Sequence, residues 1–205
     1  MQLYYHPISS NARRVLMAAD HLGIELELVE TNLMSEADRR RLAEVNDNHK
    51  IPVLVDDGFV LWESCAIMQY LADSTPGQTV YPHDPLARAD VNRWMFWACQ
   101  HFAAAISVIA WENVWKKVVT GLDADVNELA RGAADLARAA AVLDSHMASG
   151  TWLVGDKVTL ADYAVAAPLM YRERARLPLG DYPNLMAWFA RVQDLPAWRN
   201  STPVW

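Results

Sequence analysis

What most limits the folds open to this chain is a change in its hydrophobic period near residue 75. Before that point short apolar runs alternate with helical spacings, and beyond it the helical spacing persists for long stretches. Residues 2–5 and 26–30 are short β-compatible runs. Between them Val15, Leu16, Ala19 and Leu22 recur at helical spacing over residues 12–22, which predicts a βαβ unit. A second helical pattern covers residues 35–45. Residues 52–55 and 59–61 then flank Asp56-Asp57-Gly58, a strong hairpin signal that implies two antiparallel strands. Ser64 opens a helix whose Ile67, Tyr70 and Leu71 share one face, and Ser74, Thr75, Pro76 and Gly77 end it. The order is βαβαββα, an α/β domain.

Gly77, Pro82 and several polar residues make 77–85 a linker, dividing the chain into domains 1–76 and 86–205. The second is predicted to be an all-α bundle. Residues 86–119 form one long helical stretch, and Val126, Leu129, Ala133, Leu136, Ala140, Leu143 and Met147 repeat at intervals of three and four. Thr159-Leu160-Ala161-Asp162 reads as a capping box, with Val158 and Tyr163 as its hydrophobic staple, so Asp162 is assigned a structural role. A last helix is predicted over residues 184–193.

Composition excludes several function classes. A net charge of −7 argues against a general nucleic-acid binder, whose phosphate contacts need clustered Lys and Arg; Arg39, Arg40 and Arg41 are interleaved with Glu36, Asp38 and Glu44 as on a solvated helix face. No unbroken apolar run reaches the ~18 residues of a membrane span, and the start MQLYYHP lacks the features of a signal peptide. Cys65 and Cys99 lie far apart and no Cys-x-x-Cys occurs, which fits a reducing cytoplasm and disfavours thiol–disulfide exchange through protein thiols. None of the six histidines pairs with another ligand at helical metal spacing, so no metal is expected.

Three segments carry candidate chemistry. Tyr4-Tyr5-His6-Pro7-Ile8-Ser9-Ser10-Asn11 places hydroxyls where a strand meets a helix start, a natural anion site, although Ser9, Ser10 or Asn11 can equally be a helix cap. His49-Lys50-Ile51-Pro52-Val53 sets two potential cations before a proline that enters a strand; a cis bond there would turn the Ile51 backbone toward an extended peptide. Glu63-Ser64 puts a carboxylate and a hydroxyl at a further helix start, suited to the amine and carboxylate of an amino acid, with Ser64 as a plain N-cap the alternative.

Taken in this order within βαβαββα, these segments resemble the cytosolic glutathione transferases, in particular the serine-type phi, theta and delta groups and their bacterial relatives. Residues 159–164 and 182–185 resemble the second-domain signatures of that family. The resemblance implies a thioredoxin-like, glutathione-binding first domain, and a helical second domain that supplies a hydrophobic substrate site. It implies that Ser9, four residues past a tyrosine-containing strand end, activates the glutathione thiol. It likewise implies that His49 and Lys50 contact the glycine carboxylate, that Ile51 before Pro52 clamps the cysteinyl unit, and that Glu63 and Ser64 hold the glutamyl unit. Asp47 stands where a proline is common and Cys65 where delta members often carry arginine. Ser10 occupies the place of the beta-class cysteine, and Asn11 that of an activating asparagine in some bacterial groups, so both are alternatives to Ser9.

The reaction implied is attack of the glutathione thiolate on a small hydrophobic electrophile, a detoxifying conjugation, with peroxide reduction open to the same thiolate. Ile8, Trp97, His101, Phe102, Ala105, Trp111 and Trp115 are candidates for the apolar wall, though each aromatic can equally be bundle core. Nine tryptophans suit flat or aromatic substrates. Glutathione is the co-substrate, and the resemblance implies a homodimer. The alternative is a non-catalytic binding or regulatory protein that keeps the fold.

Overall fold

The structure is a computed structural model and describes residues 1–203 and 205. It falls into two units, Met1–Tyr81 with Asp194–Trp205, and Pro82–Gln193.

In the first unit the elements run β1 (Gln2–Tyr5), α1 (Ser10–Leu22), β2 (Glu27–Glu30), α2 (Glu36–Ala43), β3 (Val53–Asp56), β4 (Phe59–Trp62) and α3 (Ser64–Asp73). The sheet order is β2-β1-β3-β4, with β1 parallel to β2 and antiparallel to β3. β3 and β4 form the hairpin foreseen at Asp56-Asp57-Gly58, pairing Leu54 with Leu61. Asp57 at φ 45° and Gly58 at φ 84° take the left-handed conformations that match a tight turn to strand twist. α1 packs on α3, and Leu3, Val15, Val53, Leu54, Ile67 and Leu71 are wholly buried between helices and sheet.

The last residues of the chain return to this unit, where the sequence reading had assigned them to 86–205. α10 (Pro196–Asn200) lies against α1 and is held by Arg13. Nη2 of Arg13 donates to the Trp198 carbonyl at 2.9 Å and Nε to Ser201 Oγ at 3.2 Å, while the guanidinium carbon sits 3.6 Å from the Trp198 ring centre. Burial pushes the Arg13 pKa down to about 10.

In the second unit one helical stretch runs Pro85–Thr120. Asp84 caps it by accepting from the Leu86 and Ala87 N–H groups. It divides into α4 (Pro85–Trp97), a π-turn Ala98–Phe102, α5 (Ala103–Ala110), a π-turn Trp111–Trp115 and α6 (Lys116–Thr120). The sequence foresaw the stretch but not the two π-turns. Within it one 18-residue window is apolar enough, at a mean hydropathy of 1.2, to cross a membrane by length and composition alone, although the stretch contains no unbroken apolar run of that length; its Val91, Met95, Phe102, Ile106 and Ile109 are instead buried within the helical unit.

α7 (Val126–Met147) packs against α5. Its buried seam is Gly132, Leu136, Ala139, Ala140, Leu143 and Met147, which corrects the predicted seam at its start: Val126 is 74% exposed. Gly132 lets the helices approach closely, since a Cβ there would lie 3.0 Å from carbons of both Val108 and Ile109. α8 (Leu160–Ala166) and α9 (Pro183–Asp194) complete the unit. The capping box forms, with the Asp162 carboxylate accepting the Thr159 N–H at 2.8 Å.

Candidate functional site

In the first unit the start of α1, the loop before β3 and the start of α3 each contribute to one small cleft of about 60 Å³. Asn11 lines it from α1, Lys50, Ile51 and Pro52 from the loop, and Glu63 and Ser64 from the start of α3. Trp62, Asn46 and Asn48 complete the lining. Ser9, Ser10 and His49, also singled out in the sequence, are not among the lining residues.

Ser9 is the N-cap of α1, and its Oγ accepts the Ala12 N–H at 3.2 Å. A serine hydroxyl has two lone pairs and one proton, so capping occupies a lone pair and leaves the O–H free to donate. The capping and functional readings of Ser9 are therefore compatible. Ser10 is the first residue of the helix proper.

The loop owes its shape to Asn46, which the sequence did not single out. Asn46 is buried, its amide donates to the Lys50 carbonyl at 2.8 Å, and its Oδ1 accepts the Asn48 N–H at 3.0 Å. The Asn46 carbonyl accepts from the His49 N–H at 2.9 Å, and His49 takes a left-handed φ of 52°. An asparagine bonding the backbone two residues on is a recognisable turn signal. The Ile51–Pro52 bond is cis. His49 and Lys50 are exposed, so both side chains are accessible to a ligand.

At α3 the N-cap is Glu63, not Ser64, which corrects the plain-cap alternative. Glu63 makes no capping bond through its side chain and adopts φ 75°, ψ 112°. For a non-glycine residue this conformation costs about 1–3 kcal/mol, and such strain concentrates at ligand sites. Ser64 is buried at the first helical position, with its hydroxyl accepting from Arg14 Nη1 at 3.3 Å. Two helix N-termini and Lys50 thus make the surroundings of the cleft favourable to anions.

The proposed apolar wall is distributed by the second unit. Trp97, His101 and Ala105 line one groove of about 470 Å³ with Arg131, Asp135 and Arg138 of α7. Phe102 is wholly buried and stacks on Trp97 at 5.5 Å, so it belongs to the core. Trp111 is 40% exposed, Trp115 lies edge-on to Tyr171, and neither lines that groove. Ile8, in the first unit, is half-buried. Among the described residues no cluster of three potential ligands is placed to hold a metal.

A βαβαββα sheet domain with this cleft, joined in the chain to an all-helical unit, defines the class: a thioredoxin-like domain with a helical extension. Residues 1–73 match the family model for the glutathione S-transferase N-terminal domain, and residues 109–196 that for the C-terminal domain. Three solved structures are similar over nearly the whole chain. A delta-class glutathione transferase of Nilaparvata lugens is 30% identical with a TM-score of 0.84, covering 98% of this chain and 92% of that one. A glutathione S-transferase of Xanthobacter autotrophicus is 32% identical with a TM-score of 0.83, covering 96% and 94%. One from Rhodospirillum rubrum is 26% identical with a TM-score of 0.88, covering 98% and 90%. The chain belongs to the glutathione S-transferase family, and glutathione transfer is its general function.

Proposed function

We propose that the protein conjugates the thiolate of bound glutathione to small hydrophobic electrophiles, with the Ser9 hydroxyl donating to the sulfur. The observation that carries this reading is the free proton of Ser9: its oxygen caps α1 while its O–H stays available. A free thiol has a pKa of about 8.5, so only a few per cent is ionised at neutral pH. A donated hydrogen bond at the N-terminus of a 13-residue helix stabilises the charged form and raises that fraction.

Lys50, with His49, is suited to the glycine carboxylate, and the backbone at Ile51 and Pro52 to the extended peptide. Glu63 and Ser64 offer an acceptor for the glutamyl amine and a donor for its carboxylate. Ser10 and Asn11 remain the alternative contacts to sulfur. Trp111 and Trp115, outside the buried core, are the aromatic side chains whose substitution should alter electrophile preference. Peroxide reduction would use the same thiolate. Dimerisation is proposed from family membership, and light scattering on the purified protein tests it.

Conjugation to an aryl halide and to an isothiocyanate, measured for wild type, Ser9→Ala and Ser10→Ala with glutathione affinity alongside, tests the assignment. A tenfold or greater loss of kcat in Ser9→Ala at unchanged affinity, about 1.4 kcal/mol, is expected. Ser9→Thr keeps both cap and hydroxyl and should retain most activity, which separates the chemistry from the roughly 1 kcal/mol of the cap. Glutathione binding by wild type without turnover of either substrate would instead support the non-catalytic reading.

A further inference from the structure

Arg14 lies on α1 and is 1% exposed, although a guanidinium stays charged at any physiological pH. Its Nη1 donates to two neutral acceptors, Asn11 Oδ1 at 2.8 Å and Ser64 Oγ at 3.3 Å. The first is one turn back on its own helix, and the second opens α3, fifty positions along the chain. Asn11 and Ser64 both line the cleft.

These bonds determine what the two side chains can present to a ligand. With Oδ1 turned to Arg14, the Asn11 amide has its NH2 group left to offer, which also settles which way round that amide stands. With a lone pair of its oxygen taken by Arg14, Ser64 has its O–H left to offer. Without the guanidinium both groups could equally turn an acceptor outward, which would repel an anion.

We propose that Arg14 is a positioning residue that fixes Asn11 and Ser64 as hydrogen-bond donors toward the carboxylate of bound glutathione. The inference rests on the reading of this cleft as the glutathione site. Arg14 touches no ligand in this scheme and acts through Asn11 and Ser64. Both bonds come from Nη1, whose two hydrogens are fixed in the guanidinium plane, whereas the three hydrogens of a lysine ammonium rotate freely and hold acceptors in no set direction.

A double-mutant cycle on the full chain reads this directly, with glutathione affinity measured by titration calorimetry for wild type, Arg14→Met, Ser64→Ala and the double variant. Each single change is expected to weaken glutathione at least fivefold, and the double variant to be within twofold of the weaker single, because both remove the same oriented donor. A merely structural arginine would lower the melting temperature without producing that non-additivity. Affinity of Arg14→Met within twofold of wild type, or effects that multiply in the double variant, overturns the proposal. Should Arg14→Met not fold, Arg14→Lys takes its place in the cycle under the same two criteria. Failure of wild type to bind glutathione would overturn the reading of the cleft itself, a result distinct from a neutral Arg14 variant in a protein that binds.

Discussion

Asp162 is wholly buried, and four donors converge on it. Its Oδ1 accepts the Leu153 N–H at 3.0 Å and the Trp188 indole N–H at 2.9 Å, and its Oδ2 accepts the Thr159 N–H at 2.8 Å and the Thr159 hydroxyl at 3.1 Å. In Asp162→Asn the best arrangement puts the amide oxygen in place of Oδ1, which keeps Leu153 and Trp188. The amide nitrogen then donates to Thr159 Oγ1, whose hydroxyl can rotate to accept. The Thr159 N–H has no such freedom and is left facing another donor, at a cost of about 1–3 kcal/mol. The same loss follows if Asp162 is protonated in the wild type, because a carboxylic acid oxygen can still accept that N–H and an amide nitrogen cannot. Asp162→Ala strands all four donors and should cost more than about 4 kcal/mol, a large share of the stability of an ordinary protein. Burial pushes the Asp162 pKa above its ordinary 3.8, opposed by the Trp188, Thr159 and Leu153 bonds. A carboxyl raised on folding favours the folded state most when protonated, so its contribution declines as pH rises above 3.8 toward the folded value, and the asparagine variant has no such slope. Urea unfolding of both proteins at several pH values between about 4.5 and 7.5 should therefore show a penalty that is largest in acid. A penalty below about 0.5 kcal/mol throughout, or one that grows with pH, would refute the reasoning.

Asn46→Ala removes the amide that ties Lys50 to Asn48. Glutathione affinity by calorimetry should fall several-fold with kcat nearly unchanged, at a stability cost of about 1–2 kcal/mol; an unaltered affinity would show that the loop keeps its shape without it. Gly132→Ala gains about 1 kcal/mol of helix propensity but sets a methyl 3.0 Å from Ile109 and Val108, with the Val108 Cβ itself at 3.2 Å. A Cβ cannot rotate aside, so overpacking of about 1–3 kcal/mol should leave a net loss in thermal unfolding, which Val108→Ala in the same chain relieves only in part, since the Ile109 carbon and the Cβ at 108 remain. A Gly132→Ala variant more stable than wild type would show that α5 and α7 move apart freely.

The parts of this fold that were legible in the sequence are those whose causes are local. The β3–β4 hairpin follows from Asp57-Gly58, the α8 capping box from Thr159 and Asp162, and the βαβαββα order from periods that change within a few residues. The return of residues 194–205 to the first unit was not legible, because its cause is an arginine bonding a carbonyl 185 positions away and stacking on that residue's ring. Nor were the π-turns at Ala98–Phe102 and Trp111–Trp115, since a locally widened turn leaves no mark on composition, and they fall within the stretch from which the apolar wall was drawn. Val126 was read into the α7 seam on spacing alone, but it is the first residue after the Asp125 cap, and the seam closes only where α5 comes alongside.

At the cleft the sequence offered Ser9, Asn11 and Ser64 each as a cap or as a ligand contact; Ser9 is the cap of α1 and can still donate, whereas the cap of α3 is Glu63 and not Ser64. Ser9 accepts from the Ala12 N–H, while Ser64 and Asn11 accept from Arg14, so in each case the oxygen is engaged inside the protein. A hydroxyl or amide whose oxygen is already engaged by one internal donor is oriented with that oxygen inward, which favours its hydrogens as the groups turned to a ligand. The internal bonds that appear merely structural are thus what give the outward groups a single polarity, that of donors, at the ends of two helices whose dipoles already favour negative charge. An anionic thiol peptide needs that polarity at both its carboxylate and its sulfur. Substitutions that preserve the fold yet free one of these oxygens, as Arg14→Met does, should therefore weaken glutathione binding more than they weaken the protein.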